Sequence, residues 1–177
     1  MKYNWIIDKN HSQVSFSVKY LLISKITGYF KLFNSRFQSA QKDHFSGASV
    51  DFTINVQSID TSSRQRDEHL VSKDFFDADK YPTMHFKSTS FVARTADSYD
   101  LTGNLTIKGV KKRTTFEVTF NGSMKDMEGN FKIGFEAHAV ISRKGFGLSW
   151  NNTTEAGAVT VDDAININLA LVFIEEQ

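Results

Sequence analysis

Apolar residues recur at every second position through most of this chain, and that alternation constrains the fold more than any other feature. Side chains two apart on an extended strand share a face, so the pattern marks strands with one buried and one wetted side. Val14, Phe16 and Val18 alternate with Ser15, Ser17 and Lys19, and Val50, Phe52, Ile54 and Val56 alternate with Asp51, Thr53, Asn55 and Gln57. The pattern returns at Phe116, Val118 and Phe120, at Ile133, Phe135, Ala137 and Ala139, and at Ile165, Ile167, Leu169, Leu171 and Phe173. A helical period fits none of these segments.

Turn signals separate the runs: Asp97-Ser98, Lys108-Gly109, Asn121-Gly122 and Glu128-Gly129-Asn130 each supply the positive backbone angles or local side-chain bonds of a tight hairpin. Hairpins make neighbouring strands antiparallel. Closing such a sheet on itself removes its edges, so the expected fold is all-β, a closed antiparallel barrel of about eight strands, with a sandwich as the alternative. One segment breaks the rhythm. Residues 62–72 begin with Ser62 and Ser63, either of which can cap, continue through straight-chain polar residues, and end on Leu70 and Val71, which predicts a short helix across one end of the barrel. Tyr81-Pro82 then forces an extended entry into a strand over 83–94. With no internal repeat and no linker, residues 1–177 read as one domain.

Composition narrows the function. The 21 Lys and Arg against 20 Asp and Glu leave a net charge of +1, too little to gather nucleic acid, so no nucleic-acid partner is expected. The absence of Cys removes disulfides, thiolate metal sites and a cysteine nucleophile. No run approaches the length of a membrane span, and Met1 to Asp8 lacks a signal-peptide core; the expectation is a cytoplasmic protein, or a periplasmic one if a leader was trimmed. The 16 Phe beside a single Pro place much of the apolar bulk in flat rings suited to pleated surfaces.

A barrel of about eight strands is either just filled by its own side chains or able to hold one small ligand, and periodicity leaves both open. If a channel exists, alternation assigns its wall to Phe16, Val18, Phe52, Ile54, Phe86, Phe116, Phe120, Phe135, Ile167 and Leu169. A slip of one residue would exchange them for their neighbours. Arg66-Asp67-Glu68-His69 puts two acids, a guanidinium and an imidazole on the helix: it can clamp an anion through Arg66 or relay a proton through His69, or be a solvated face in which Arg66 and Asp67 pair. Arg143 follows a half-buried strand and precedes a Gly-flanked Phe146, near a barrel mouth, with a buried ion pair as the bland reading. Trp150 can line a pocket or fill a core, with core favoured. Lys108, Lys111, Lys112 and Arg113 surround the hairpin glycine Gly109 and either attract a phosphate or keep a turn soluble. His11-Ser12, read as strand residues, point to opposite faces and make a poor nucleophile and base. No His spacing suits zinc, so no metal or cofactor is expected. Asn104-Leu105-Thr106 and Asn152-Thr153-Thr154 match the glycosylation sequon but carry meaning only in a secreted chain.

These residues, taken in order, resemble a known family. Trp5-x-x-Asp8-x-x-His11-Ser12-x-Val14-x-Phe16-Ser17-Val18, Gly28-x-Phe30-x-x-Phe33, and Ser58-Ile59-Asp60-Thr61 leading to Arg66-Asp67-x-His69-Leu70 are followed by Phe75-Phe76-Asp77 and Tyr81-Pro82-Thr83-Met84-x-Phe86-x-Ser88-Thr89. Gly103-x-Leu105-Thr106-Ile107-Lys108-Gly109-Val110 and Arg143-x-x-Phe146-Gly147 complete a set that is similar to the YceI family of bacterial lipid-binding proteins from Trp5 to about Phe173. The resemblance implies a lipocalin-like barrel with a long hydrophobic channel for a polyisoprenoid chain, often in a homodimer, with no established catalysis. Its motif residues transfer as Arg66, Asp67, His69 and Arg143. Two positions depart from the pattern: Tyr20 stands where relatives commonly carry His, and Lys111-Lys112 where they read Thr-Lys.

The leading expectation is therefore non-enzymatic binding, transport or storage of a long isoprenoid lipid, such as a polyprenyl phosphate or a quinone, with Arg66, His69 or Arg143 selecting at the mouth. Two rivals stand beside it. One is an enzyme on an apolar substrate with His69 and Asp67, or His11, as acid and base; the other is a solid-barrel stress or assembly protein whose partner is another protein.

Overall fold

The computed structural model describes residues 1–151 and 160–177. Asn152-Thr153-Thr154 lies outside the described residues. The strands are β1 (Tyr3–Ile7), β2 (Gln13–Tyr20), β3 (Ser24–Phe30), β4 (Phe33–Ser39), β5 (Ser49–Asn55), β6 (Ile59–Asp60), β7 (Thr83–Ala93), β8 (Ser98–Ile107), β9 (Val110–Lys125), β10 (Phe131–Ser142) and β11 (Val161–Glu175). The single helix of more than one turn among the described residues is α1 (Arg64–Val71), inside the predicted 62–72.

All eleven strands form one antiparallel sheet, and pairing of β1 with both β4 and β11 closes it into an eight-membered ring. Three staves of the ring are broken in two. β11 pairs with β1 near its C-terminal end and with β2 along its N-terminal half, while β4 with β3 and β5 with β6 continue the same division. The expected closed barrel is the observed one, and a sandwich is excluded.

Turn chemistry mostly follows the sequence. Lys108 and Gly109 both adopt positive φ, 49° and 74°, the signature of the two-residue turn whose twist matches the flanking strands. Asn121-Gly122 does not turn. It lies within β9, where Phe120 pairs with Phe135 but Gly122 with Gly134, so Asn121 is an extra residue that bends the strand. The pair is turn-prone in isolation, but a bulge needs the same backbone freedom, and Gly122 sits at φ 123°. His11 also departs from its expected strand: it ends a single 3-10 turn over Lys9–His11.

The two ends of the barrel differ. One is plugged by aromatic rings: Phe45, from the loop between β4 and β5, is 0% exposed and meets Phe37, Phe120 and Phe135 at ring-centroid distances of 5.7, 5.0 and 4.9 Å. Trp5 lies beside them, its Nε1 donating to Ser39 Oγ at 2.8 Å. Outside this plug Lys132 Nζ bridges Asp8 at 2.9 Å and Asp126 at 3.3 Å. Burial raises the Asp8 carboxyl, but hydrogen bonds from Lys132 and His11 outweigh it and hold Asp8 below the usual carboxylate range. Asp126 accepts from the Asn130 side chain and from the backbone N–H groups of Asn130 and Glu128, which bring it down to about 2.

Truncating the plug removes ring contacts that nothing else at this end replaces. Phe45→Ala is expected to cost about 3–5 kcal/mol of unfolding free energy in urea titration, as for other large core rings. A carboxyl with a lowered folded pKa contributes stability that is full above its ordinary value near 3.8 and is lost as pH falls toward about 2. Stability should therefore decline through that window, and Asp126→Asn should flatten the decline in acid titrations followed by circular dichroism while lowering stability at neutral pH.

Candidate functional site

Near the plug the inward rings meet one another across the axis; toward the other end the inward side chains stand along the wall, and a space opens between them. The cavity measures about 990 Å³, at the upper end of the range for small-molecule sites. Its wall is made by alternate residues of every stave. Phe16 and Val18 of β2 and Phe52 and Ile54 of β5 line it, as do Phe86 of β7, Phe116 of β9 and Phe135 of β10. With Ile167 and Leu169 of β11, nine of the ten residues that alternation places on one face line the cavity. Phe120, the tenth residue of that set, keeps the inward face but sits deeper, in the plug, packed on Phe45 at 5.0 Å and Phe135 at 5.4 Å.

Sequence reasoning missed part of the wall. Ala137 of β10, which faces Leu169 in register, keeps the space open by its small size. Gly28 of β3 makes room of another kind: a Cβ there would lie 2.9 Å from Thr61 Cγ2 and closer still to the Phe16 ring, so the glycine lets that wall ring lie flat against β3. Both positions fit the alternation, but small residues give no sign of whether a neighbour fills the space.

The mouth lies between α1, the turn joining β2 to β3, and residues 148–150. Thr61 organises it. Asp67 accepts from the Thr61 backbone N–H at 2.9 Å and from its Oγ1 at 2.6 Å, while Arg66 Nε donates to the same Oγ1 at 2.7 Å and Nη2 to the Thr61 carbonyl at 2.6 Å. Arg66 and Asp67 therefore do not pair with each other. Both clamp one threonine and fasten α1, capped by Ser63, to the end of β6. Arg66 lines the cavity, and its Nη1 makes no hydrogen bond among the described residues.

His69 also reaches the wall, but its partner is Asp74 at 2.8 Å rather than Asp67. Its ring meets Phe75 and Trp150 edge-on, at centroid distances of 5.1 and 4.7 Å. An acid and base pair of His69 with Asp67 is not assembled, and His11 is at the plugged end beside Asp8. Trp150, favoured as core from sequence, is a half-buried part of the mouth.

Arg143 is 3% exposed, and its guanidinium is spent on main chain: Nε donates to Asp162 O, Nη1 to Leu148 O and Trp150 O, and Nη2 to Val161 O, at 2.6 to 3.1 Å. Among the described residues it has no acid partner in contact. Burial lowers its pKa against the opposing pull of Asp163 and Asp162. Arg143 lines the cavity, yet it acts as a brace that holds residues 148–150 against the start of β11. A planar fork with five donors can gather four carbonyls, whereas an ammonium cannot.

The YceI-like domain model matches residues 5–173. The chain belongs to the YceI family. A UPF0312 protein of Staphylococcus aureus is 33% identical over 171 residues, covering 96% of both chains. Among solved structures, Burkholderia cenocepacia BcnA superposes with a TM-score of 0.81 at 26% identity, covering 94% of this chain and 98% of the other. A polyisoprenoid-binding domain from Saccharophagus degradans, implicated in plant cell wall breakdown, shares the fold with a TM-score of 0.69 at 14% identity over 97% and 98% of the two chains. The YceI motif residues thus fall into two groups here, Arg66, Asp67 and Arg143 bracing the mouth and His69 packing into its aromatic rim.

Replacing Arg143 should test the brace. Arg143→Lys is expected to lower unfolding free energy by about 2–4 kcal/mol, because buried carbonyls lose their donors. Chemical denaturation of the two proteins measures it.

Proposed function

We propose that this YceI-family protein binds a long isoprenoid lipid with its hydrocarbon tail in the barrel and its polar end at the mouth, for carriage or storage. The observation that carries the reading is the open cavity of about 990 Å³, apolar along its walls and plugged at one end. An apolar cavity this large forgoes the side-chain packing that stabilises other β cores, and a hydrocarbon chain lying in it supplies those contacts. The void also removes the support for a solid barrel.

Magnitudes favour a chain molecule. At roughly 0.8 kcal/mol per buried methylene, each five-carbon unit contributes about 2–4 kcal/mol before the cost of ordering, so a few units give tight binding without directional contacts. The polar groups gather where a head group would emerge. Arg66 Nη1 offers an uncommitted N–H, suited to the oxygens of a phosphate or a quinone carbonyl, and the His69–Trp150 rim supplies flat rings for the first isoprene unit. Membership of the YceI family and a fold shared with a polyisoprenoid-binding domain support the same reading.

Native mass spectrometry of protein purified without detergent is expected to show an added mass of isoprenoid composition, and a bare polypeptide that takes up no added prenol would overturn the reading. Titration with farnesol followed by Trp150 fluorescence should saturate. Ala137→Phe, which fills the middle of the cavity, should weaken that binding at least about tenfold, equivalent to expelling part of one isoprene unit. Arg66→Met should weaken farnesyl phosphate more than farnesol.

A further inference from the structure

The turn between β2 and β3 is built against ordinary sequence preference. Leu21 and Leu22 occupy its two central positions with φ of 53° and 62°, and the Tyr20 carbonyl accepts from the Ile23 N–H at 3.3 Å. Glycine or asparagine usually fills such positions, since a bulky side chain at positive φ crowds its own backbone. Leu22 and the following Ile23 are also 73% and 88% exposed. Strain and exposed hydrocarbon in one short turn both oppose the stability of the free protein. Strained residues of this kind cluster where a surface has a task.

Two further observations indicate the task. Lys19 and Lys25 stand directly opposite each other in the β2–β3 register, both exposed, and neither makes an ion pair among the described residues. Like charges at opposed positions disfavour the hairpin unless an anionic surface meets them. The apolar tip is thus flanked by a cationic collar. The same turn borders the cavity: Tyr20, Leu21 and Ser24 line its mouth, and Leu21 N–H donates to the Thr160 carbonyl at 2.8 Å, tying the tip to the start of β11. A second exposed apolar hairpin, carrying Met124 and Met127, differs on both counts. It lies at the plugged end and holds Asp126 and Glu128.

We propose that the β2–β3 turn is a bilayer-docking element, in which Leu22 and Ile23 enter the interfacial layer of an anionic membrane while Lys19 and Lys25 meet its head groups, setting the barrel mouth against the lipid surface. The physical advantage is that a hydrocarbon chain entering the cavity from a docked mouth avoids exposure to bulk water. The basic hairpin of Lys108, Lys111, Lys112 and Arg113 opens at this same end and adds to the attraction.

The test is co-sedimentation with vesicles of phosphatidylcholine alone and of phosphatidylcholine mixed equally with phosphatidylglycerol. Wild type is expected to bind the anionic vesicles, more weakly at high salt, and the neutral ones poorly. The Leu22→Ser, Ile23→Ser double variant should lose at least about tenfold in partitioning, and Lys19→Glu with Lys25→Glu should abolish the preference for anionic lipid. Exposure of all four positions leaves the barrel folded, checked by circular dichroism. Equal vesicle binding by wild type and the double variant would overturn the proposal. So would sedimentation equilibrium showing a wild-type dimer that the double variant splits, which would assign the tip to a second copy of the chain. Uptake of farnesol from solution is expected to be the same in all these proteins, so failure of docking is distinguishable from failure of the cavity reading.

Discussion

Closure of the sheet through β1 is the constraint on which the rest of this structure depends. Five residues of β1 join β4 to β11, and without them both strands would present unpaired N–H and C=O groups along an open edge. Closure also sets the dimensions. A ring of about eight staves leaves an interior that side chains can just fill or just fail to fill, so the sizes of inward residues decide which. The hydrogen-bonded ring makes the void tolerable, because the backbone does not rely on side-chain contact across the axis to keep its pairing.

The inward residues divide that interior into two halves. Around Phe45 the rings of Phe37, Phe120, Phe135 and Phe173 meet one another at 4.9 to 6.2 Å and form a solid floor. Toward the mouth the inward side chains, Ala137 among them, stand along the wall and do not meet across the axis. The floor supplies the packing that the open half gives up. A cavity plugged at one end also has a defined polar end, since only the mouth carries helix α1 and its Thr61, Arg66 and His69.

Most polar residues at the mouth hold the frame. Arg143 is committed to four carbonyls, Asp67 to Thr61, and two of the three guanidinium nitrogens of Arg66 to the same threonine. Their motif spacing was visible in the chain, but their roles were not, because each role depends on a carbonyl or hydroxyl contributed by a segment distant in sequence or carrying no signal of its own. Thr61 has no motif that singles it out. Trp150 follows the same logic: whether a tryptophan fills a core or lines a mouth depends on what stands across from it.

Alternation marked five of the strand segments and their inward faces and, with the intervening turns, favoured a closed antiparallel barrel over a sandwich; capping and composition marked α1, and the spaced motifs pointed to the family. Those are local properties, written in neighbouring residues and in backbone geometry with a period of two. Only the tertiary structure decided that the interior is hollow at one end and solid at the other, that Asn121-Gly122 is a bulge, and that Phe45, from a loop without periodicity, is the plug. Each of these is a matter of volume shared among segments far apart in the chain, and a volume is filled or left empty only when the segments around it are brought together.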